Sequence, residues 1–279
     1  MSVTIPPATA LYAESLYTEL LSRPFILAGP CVLESFELAR DTAFAVKEAA
    51  AAAGLLAVFK SSYDKANRSS IAGFRGPGVG QGIEWLARIR EEVGLPVVTD
   101  IHEKEEIAPV AEAVDILQIP AFLSRQTSLL LAAGESGKIV NVKKGQFLSP
   151  WEMKGVIEKV KSTSNHKVLA TERGNSFGYN NLVVDMRSFA IMGGFGVPTV
   201  MDATHAVQLP GGLGSSSGGD RRYVPAMAKA AVAAGASGVF MECHPDPENA
   251  LCDGPNSLNL KDLPALLKTL AAIWGVTSA

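Results

Sequence analysis

Eight short apolar runs, each trailed by an amphipathic stretch, predict an α/β chain of the (β/α)8 TIM-barrel class in a single domain. Three observations carry this expectation. The runs recur about every 30 residues, the length a strand–helix unit requires. They are continuously apolar rather than alternating, as strands buried on both faces must be. The chain has 279 residues, 47% of them hydrophobic, which accommodates eight such units and a large core. A doubly wound sheet, made of the same units, is the alternative. The domain is expected to span residues 1–279, with a short extension over about 1–24 ahead of the first strand, and no stretch has the composition of a linker.

The first strand is expected over Phe25–Pro30 and its helix over Ser35–Ala53, with Ser35 as N-cap. Leu55–Lys60 is the second strand and Ile83–Val93 its helix. Pro96–Asp100 with Glu103–Ala113, Ile116–Pro120 with Ser124–Ala133, and Ile139–Lys144 with Pro150–Lys161 form the next three units. Lys167–Arg173 with Leu182–Met192, Pro198–Thr204 with Pro225–Ala234, and Gly238–His244 with Leu260–Ile273 complete the set. Two connections are long, Ser61–Gly82 and Gln208–Tyr223. The second contains the glycine- and serine-rich tract Gly211–Gly219, a candidate lid, with Arg221 and Arg222 at its end favouring closure over an anion.

Composition narrows the function. A net charge of -3 gives no general attraction for nucleic acid or an anionic membrane, so neither partner is expected. Three cysteines, Cys31, Cys243 and Cys252, make no disulfide framework in a chain of this size. Met1–Leu20 lacks the basic and apolar regions of a signal peptide, and no apolar run reaches the ~18 residues of a membrane span. The expected setting is a reducing cytoplasm. Gly76-Pro-Gly-Val-Gly-Gln-Gly82 lacks the order of a nucleotide loop, and no nucleotide cofactor is expected. His166 lies in a polar turn and is assigned no role.

In a barrel the active site lies where the strands end. The second strand ends in Lys60 and empties into Ser61–Ser70, which carries Lys65, Asn67, Arg68 and four serines. The fifth carries Lys143 and the sixth ends in Arg173. Gathered cations and hydroxyl donors suit a phosphorylated carboxylic acid, because buried cations repel one another without a counter-anion. A second group, Cys31, His205, Glu242 and Asp253, comes from the first, seventh and eighth strands, neighbours once a barrel closes. A thiol, an imidazole and two carboxylates are donors that a divalent transition metal such as Zn, Fe or Mn accepts. A Schiff-base aldolase using Lys60 or Lys143, and a non-catalytic sugar-phosphate binding protein, are the competing readings.

The motifs Ala28-Gly-Pro-Cys-Val-Leu-Glu-Ser35, Lys65-Ala-Asn-Arg-Ser-Ser70, Arg75-Gly-Pro-Gly78, Gln118-Ile-Pro-Ala-Phe-Leu123, Asn141-Val-Lys-Lys144, Glu172-Arg-Gly-Asn-Ser-Phe-Gly-Tyr179, Asp202-Ala-Thr-His205 and His244-Pro-Asp-Pro247 fall in one order. From about Phe25 onward the chain thereby resembles the 3-deoxy-D-manno-octulosonate 8-phosphate synthases. The resemblance implies a barrel, usually a homotetramer, that joins phosphoenolpyruvate, D-arabinose 5-phosphate and water for lipopolysaccharide biosynthesis. It implies that Lys60, Lys65, Lys143 and Arg173 cradle phosphoenolpyruvate, with Gln118 and Ser62 nearby, and that Asn67, Arg68 and Ser69 contact the pentose phosphate. Lys60, Lys65, Lys143, Arg173, His205 and Asp253 would be the catalytic set. Cysteine at position 31, with His205, Glu242 and Asp253, resembles the metal-dependent members. Cys252-Asp-Gly-Pro255 resembles the wording in the metal-free ones. The related 3-deoxy-D-arabino-heptulosonate 7-phosphate synthases, which use a four-carbon aldose phosphate, carry Lys-Pro-Arg-Thr where this chain has Lys65-Ala-Asn-Arg68.

Overall fold

A computed structural model describes residues 7–68, 70–210 and 218–277. Ser69 and the tip of the candidate lid, residues 211–217, lie outside the described residues.

Phe25–Gly29 (β1) pairs in parallel both with Leu56–Lys60 (β2) and with Gly238–His244 (β8), which closes the sheet. Between them Val97–Asp100 (β3), Ile116–Ile119 (β4), Ile139–Lys143 (β5), Val168–Glu172 (β6) and Thr199–Asp202 (β7) follow in chain order. Closure excludes the doubly wound alternative: the chain is a single-domain (β/α)8 barrel. Leu258–Asn259 adds a two-residue strand beside β8.

The expected strands sit within a residue or two of the observed ones, and the helices need more correction. Ser35 caps its helix as expected, its Oγ accepting from the Leu38 N–H at 3.1 Å. The helix after β2 starts earlier than Ile83, at Gly78, and the Glu103–Ala113 helix opens with a 3₁₀ turn held by a Glu103–Glu106 capping box. The helix expected over Leu182–Met192 is shorter. Leu182–Val183 instead forms an antiparallel ladder with Asn175–Ser176, and the helix covers Arg187–Gly193. The β-branched pair Val183-Val184 favours an extended backbone there.

Residues 7–22, given no element by the sequence, form the helix Pro7–Ser22 (α1). Its Leu16, Tyr17 and Leu20 pack against Leu27, Val58, Val98, Ile116, Ile139, Leu169, Val200 and Phe240, one inward residue from each strand. The Tyr17 hydroxyl donates to the Val168 carbonyl at 3.2 Å. This apolar layer is the floor of the barrel interior, and α1 plugs it from below.

The floor positions the site, because side chains on one face of a strand recur every second residue. Two residues above Val58 stands Lys60; above Val98, Asp100; above Ile116, Gln118; above Val200, Asp202; above Phe240, Glu242. Ile139 leads through Asn141 to Lys143, Leu169 through Thr171 to Arg173, and Leu27 through Gly29 to Cys31. An added Cβ at Gly29 would collide with the carbonyl oxygen of Lys60, so β1 and β2 approach closely only with glycine there.

Candidate active site

Lys60 is buried, and its Nζ lies 3.2 Å from the Cys31 carbonyl, 3.1 Å from Ser62 Oγ and 3.2 Å from Glu242 Oε1. Lys65 reaches the same Glu242 oxygen at 3.7 Å. Lys143 donates to Asp202 Oδ2 at 2.6 Å and stands 3.7 Å above the Phe240 ring. Ser62 also donates to Asp100, whose other oxygen lies 3.1 Å from His102 Nε2. The repulsion expected among the cations is thus partly offset by acids two strands away. Arg173 differs. It is only 5% exposed, donates to Gln208 Oε1 at 3.1 Å, and among the described residues has no acid within ion-pair distance. Burial pushes its pKa down, with Asp202 and Asp253 opposing from further off.

A cavity of about 190 Å³ lies between these groups. Lys60, Lys65, Lys143 and Arg173 converge on it, and Asn67, Arg68 and Gln118 line it as well. Gln118 Oε1 accepts from Asn141 Nδ2 at 3.1 Å, and Asn141 Oδ1 from Thr171 Oγ1 at 2.6 Å, a polar shelf directly above the apolar floor. Arg221 and Arg222, at the end of the candidate lid, pair with Glu248 at 2.8 Å and Asp220 at 2.6 Å.

Cys31, His205, Glu242 and Asp253 gather on one side of this cavity. His205 sits in the short turn after β7, and its Nδ1 lies 2.8 Å from Asp202 Oδ2. That contact turns Nε2 toward Glu242 Oε1 at 3.6 Å and Asp253 Oδ2 at 3.7 Å. Cys31 Sγ lies 3.6 Å from the same Asp253 oxygen. Donors sharing one tetrahedral cation through bonds of about 2.0–2.3 Å stand about 3.3–3.8 Å apart, so His205, Glu242 and Asp253 form one group that could hold a divalent metal, while Cys31 joins it through Asp253 and groups with Cys252 and Asp253. Glu242 Oε2 is buried and has no hydrogen-bond partner among the described residues. An Asp–His contact behind a metal-facing nitrogen is the usual way a ligand histidine is oriented. Asp253 adopts φ +46°, a left-handed backbone that brings its carboxylate between Cys31 and His205.

Burial alone would favour neutral acids here, but the surrounding cations win. His205, Lys65, Lys60 and Lys143 hold the Glu242 carboxyl well below the usual range, and His205 and Lys143 do the same for Asp202. Burial also lowers the Lys143 amine, with Asp202 opposing. Lys65, although burial disfavours its charge, is held well above its ordinary value by Cys31 and Glu242. The Cys31 thiol is pushed up by burial and then by the Cys252 thiol beside it.

Sequence reasoning met Asp202 and Cys252 within motifs but gave Asp100, Asp202 and Cys252 no role in the site. The two aspartates were readable in principle, since each stands two residues above an apolar inward position. Cys252 was not, because its neighbour Cys31 is 221 residues away. Arg68, expected at a sugar phosphate, also lies 3.7 Å from Asp253 and 3.1 Å from Cys252 Sγ, so the two groups read separately in the sequence are contiguous.

Comparison with known proteins agrees with this geometry. Residues 22–276 match the model of the DAHP synthetase I family. A 2-dehydro-3-deoxyphosphooctonate aldolase of Nitratidesulfovibrio vulgaris (strain DP4) is 67% identical over 263 residues, covering 94% of this chain and 96% of the relative. Proteins of the same name from Citrifermentans bemidjiense and Albidiferax ferrireducens are 58% and 56% identical, each covering 92% of this chain and 94% and 93% of the relative. The chain therefore belongs to the DAHP synthetase I family and, within it, groups with the 2-dehydro-3-deoxyphosphooctonate aldolases, the 3-deoxy-8-phosphooctulonate synthases.

Proposed function

We propose that this enzyme condenses phosphoenolpyruvate with D-arabinose 5-phosphate and water, giving 3-deoxy-D-manno-octulosonate 8-phosphate and inorganic phosphate for lipopolysaccharide biosynthesis. The observation that carries the anion half of this reading is Arg173, a buried guanidinium with no acid at ion-pair distance among the described residues, opening onto the cavity. A phosphate or carboxylate there would complete it with short charge-assisted hydrogen bonds.

In this account Arg173 and Lys143 hold the phosphate of phosphoenolpyruvate while Lys60 and Lys65 face its carboxylate, with Ser62 and Gln118 beside them. Asn67, Arg68 and Ser69 take the sugar phosphate, so that the aldehyde carbon faces the enol carbon and the encounter becomes effectively unimolecular. The new C–C bond forms as the enol π pair moves to the aldehyde carbon, whose oxygen takes a proton. Water adds to the cationic C2, and cleavage of the C2–O bond then releases phosphate and leaves the ketone. Glu242 faces Lys60 and Lys65, and Asp202 faces Lys143, as counter-charges while the negative charge of the phosphate departs.

A divalent cation on Cys31, His205, Glu242 and Asp253 would supply Lewis acidity and an oriented oxygen ligand. Cys31→Ala is expected to lose cation-dependent activity and the cation together; unchanged activity with a chelator present would remove the metal from the account. The amines of Lys60 and Lys143 are both ion-paired, which speaks against a Schiff base. Borohydride with substrate should therefore trap nothing. The exposed mouth residues Phe122, Phe147 and Trp151 support a homotetramer covering this end of the barrel. Among the described residues no helix is long and apolar enough to cross a membrane, in keeping with a cytoplasmic setting.

The test is phosphate release with arabinose 5-phosphate or erythrose 4-phosphate as acceptor, with and without chelator. Preference for the five-carbon aldose is expected. Preference for erythrose 4-phosphate would make the chain a heptulosonate-type enzyme, and no release with either would leave a binding protein.

A further inference from the structure

The proposed reaction leaves one buried sulfur beside the site without a task. Cys252 is 2% exposed, its Sγ 2.8 Å from Cys31 Sγ and 3.1 Å from an Arg68 guanidinium nitrogen. That sulfur–sulfur distance is shorter than the about 3.7 Å kept by two thiolates sharing a tetrahedral cation. It is longer than the about 2.05 Å of a covalent S–S bond. The backbone fixes the approach from both sides. Ser62 and Leu33 tie the Cys31 loop to the end of β2 through the Ser62 N–H to Cys31 carbonyl bond at 3.3 Å and the Leu33 N–H to Ser62 carbonyl bond at 2.9 Å. On the other side the Leu251 N–H, one residue before Cys252, donates to Glu34 Oε1 at 2.9 Å, and Glu34 stands three residues after Cys31. Of the two sulfurs, Cys252 is the one in contact with a guanidinium, that of Arg68. The third thiol, Cys243, is packed in the separate core between barrel and helices.

We propose that Cys31 and Cys252 form an oxidative modification site, converted by a hydroperoxide into an intramolecular disulfide. Cys252 sulfur attacks one peroxide oxygen, the O–O bond breaks, and the departing hydroxide leaves as water with the proton released by the thiol. Cys31 sulfur then attacks the resulting sulfenic sulfur. The S–O bond breaks, and a second water leaves with the Cys31 proton. The two thiols lose two electrons and the peroxide gains them. The disulfide removes Cys31 from the donor set and leaves beside Arg68 a sulfur that can no longer ionise, so one oxidation reaches both the cation pocket and the sugar-phosphate contact. A bound cation should conversely shield the pair. This last consequence rests on the reading of Cys31 as a ligand; disulfide formation itself does not.

The test uses wild-type protein stripped by chelator or loaded with zinc, treated with hydrogen peroxide, alkylated in denaturant and mapped by mass spectrometry. The stripped protein should lose two of its three alkylatable thiols, yield a linked Cys31–Cys252 peptide, and recover both thiols with dithiothreitol. Zinc should slow the loss at least tenfold. Three surviving thiols, or sulfinic acids on Cys31 and Cys252 with no linked peptide, would overturn the proposal. A linked peptide forming equally fast with zinc would uphold the disulfide and sink the ligand reading of Cys31.

Discussion

The floor and the mouth of this barrel are made by the same strands, one step apart, and they do opposite things. Val58, Val98, Ile116, Ile139, Leu169, Val200 and Phe240 interlock beneath the cavity with α1 as a stopper. Two residues on, the same inward faces carry Lys60, Asp100, Gln118, Asn141, Thr171, Asp202 and Glu242. The floor gains stability by removing apolar surface from water. The mouth loses stability by dehydrating charges, and ion pairs such as Lys143–Asp202 offset only part of that loss. The contrast teaches that stability and binding are separable along one strand, and substitutions at the two levels should move different observables.

The largest expected effect is at the mouth. Arg173→Met should reduce phosphate release by about a thousandfold, the scale of losing one preorganised charge-assisted donor. Because a buried cation with no ion-pair partner among the described residues is replaced by an apolar chain, the melting temperature should hold or rise. A fall of several degrees would break the comparison. Next is the floor: Leu169→Ala should cost about 3 kcal/mol by denaturant titration, through lost burial and a cavity. Its kcat at 25 °C should stay near wild type, and a parallel loss of activity would show that the levels are not separable.

A smaller effect concerns pH. Asp100, Asp202 and Glu242 all titrate below their ordinary values in the folded protein. Their contribution is complete above the unfolded carboxyl pKa near 4 and is lost as pH falls from there through the folded values. Melting temperature should therefore decline below about pH 4, and Glu242→Gln should flatten that limb. An unchanged limb in Glu242→Gln would show that its ionisation is not coupled to folding. The smallest effect is expected from Tyr17→Phe, which deletes the bond to the Val168 carbonyl and should cost about 1 kcal/mol. A cost near zero would mean that α1 is held by packing alone.

Much of this was legible because the strands are short, apolar and regularly spaced. Each cation also follows an apolar inward position by two or four residues, so Lys60, Lys143 and Arg173 could be placed at one mouth from sequence. Other features depended on contacts that local pattern does not encode. Helix α1 mixes apolar, small and polar residues without a clean stripe, because only Ala13, Leu16, Tyr17 and Leu20 among its described side chains are buried. The run after Arg173 reads as one helix from Leu182, yet the pairing of Val183 with Asn175 claims its first residues for a ladder. Asp202 was readable as a strand end, but not as the partner of both Lys143 and His205. The Cys31–Cys252 approach needed closure of the barrel to appear at all.

The separation of floor from mouth can be tested most directly by calorimetric titration of phosphoenolpyruvate into wild type, Leu169→Ala and Arg173→Met. The account predicts that Leu169→Ala binds with wild-type affinity while Arg173→Met binds at least about a hundredfold more weakly. Wild-type affinity in Arg173→Met would contradict it.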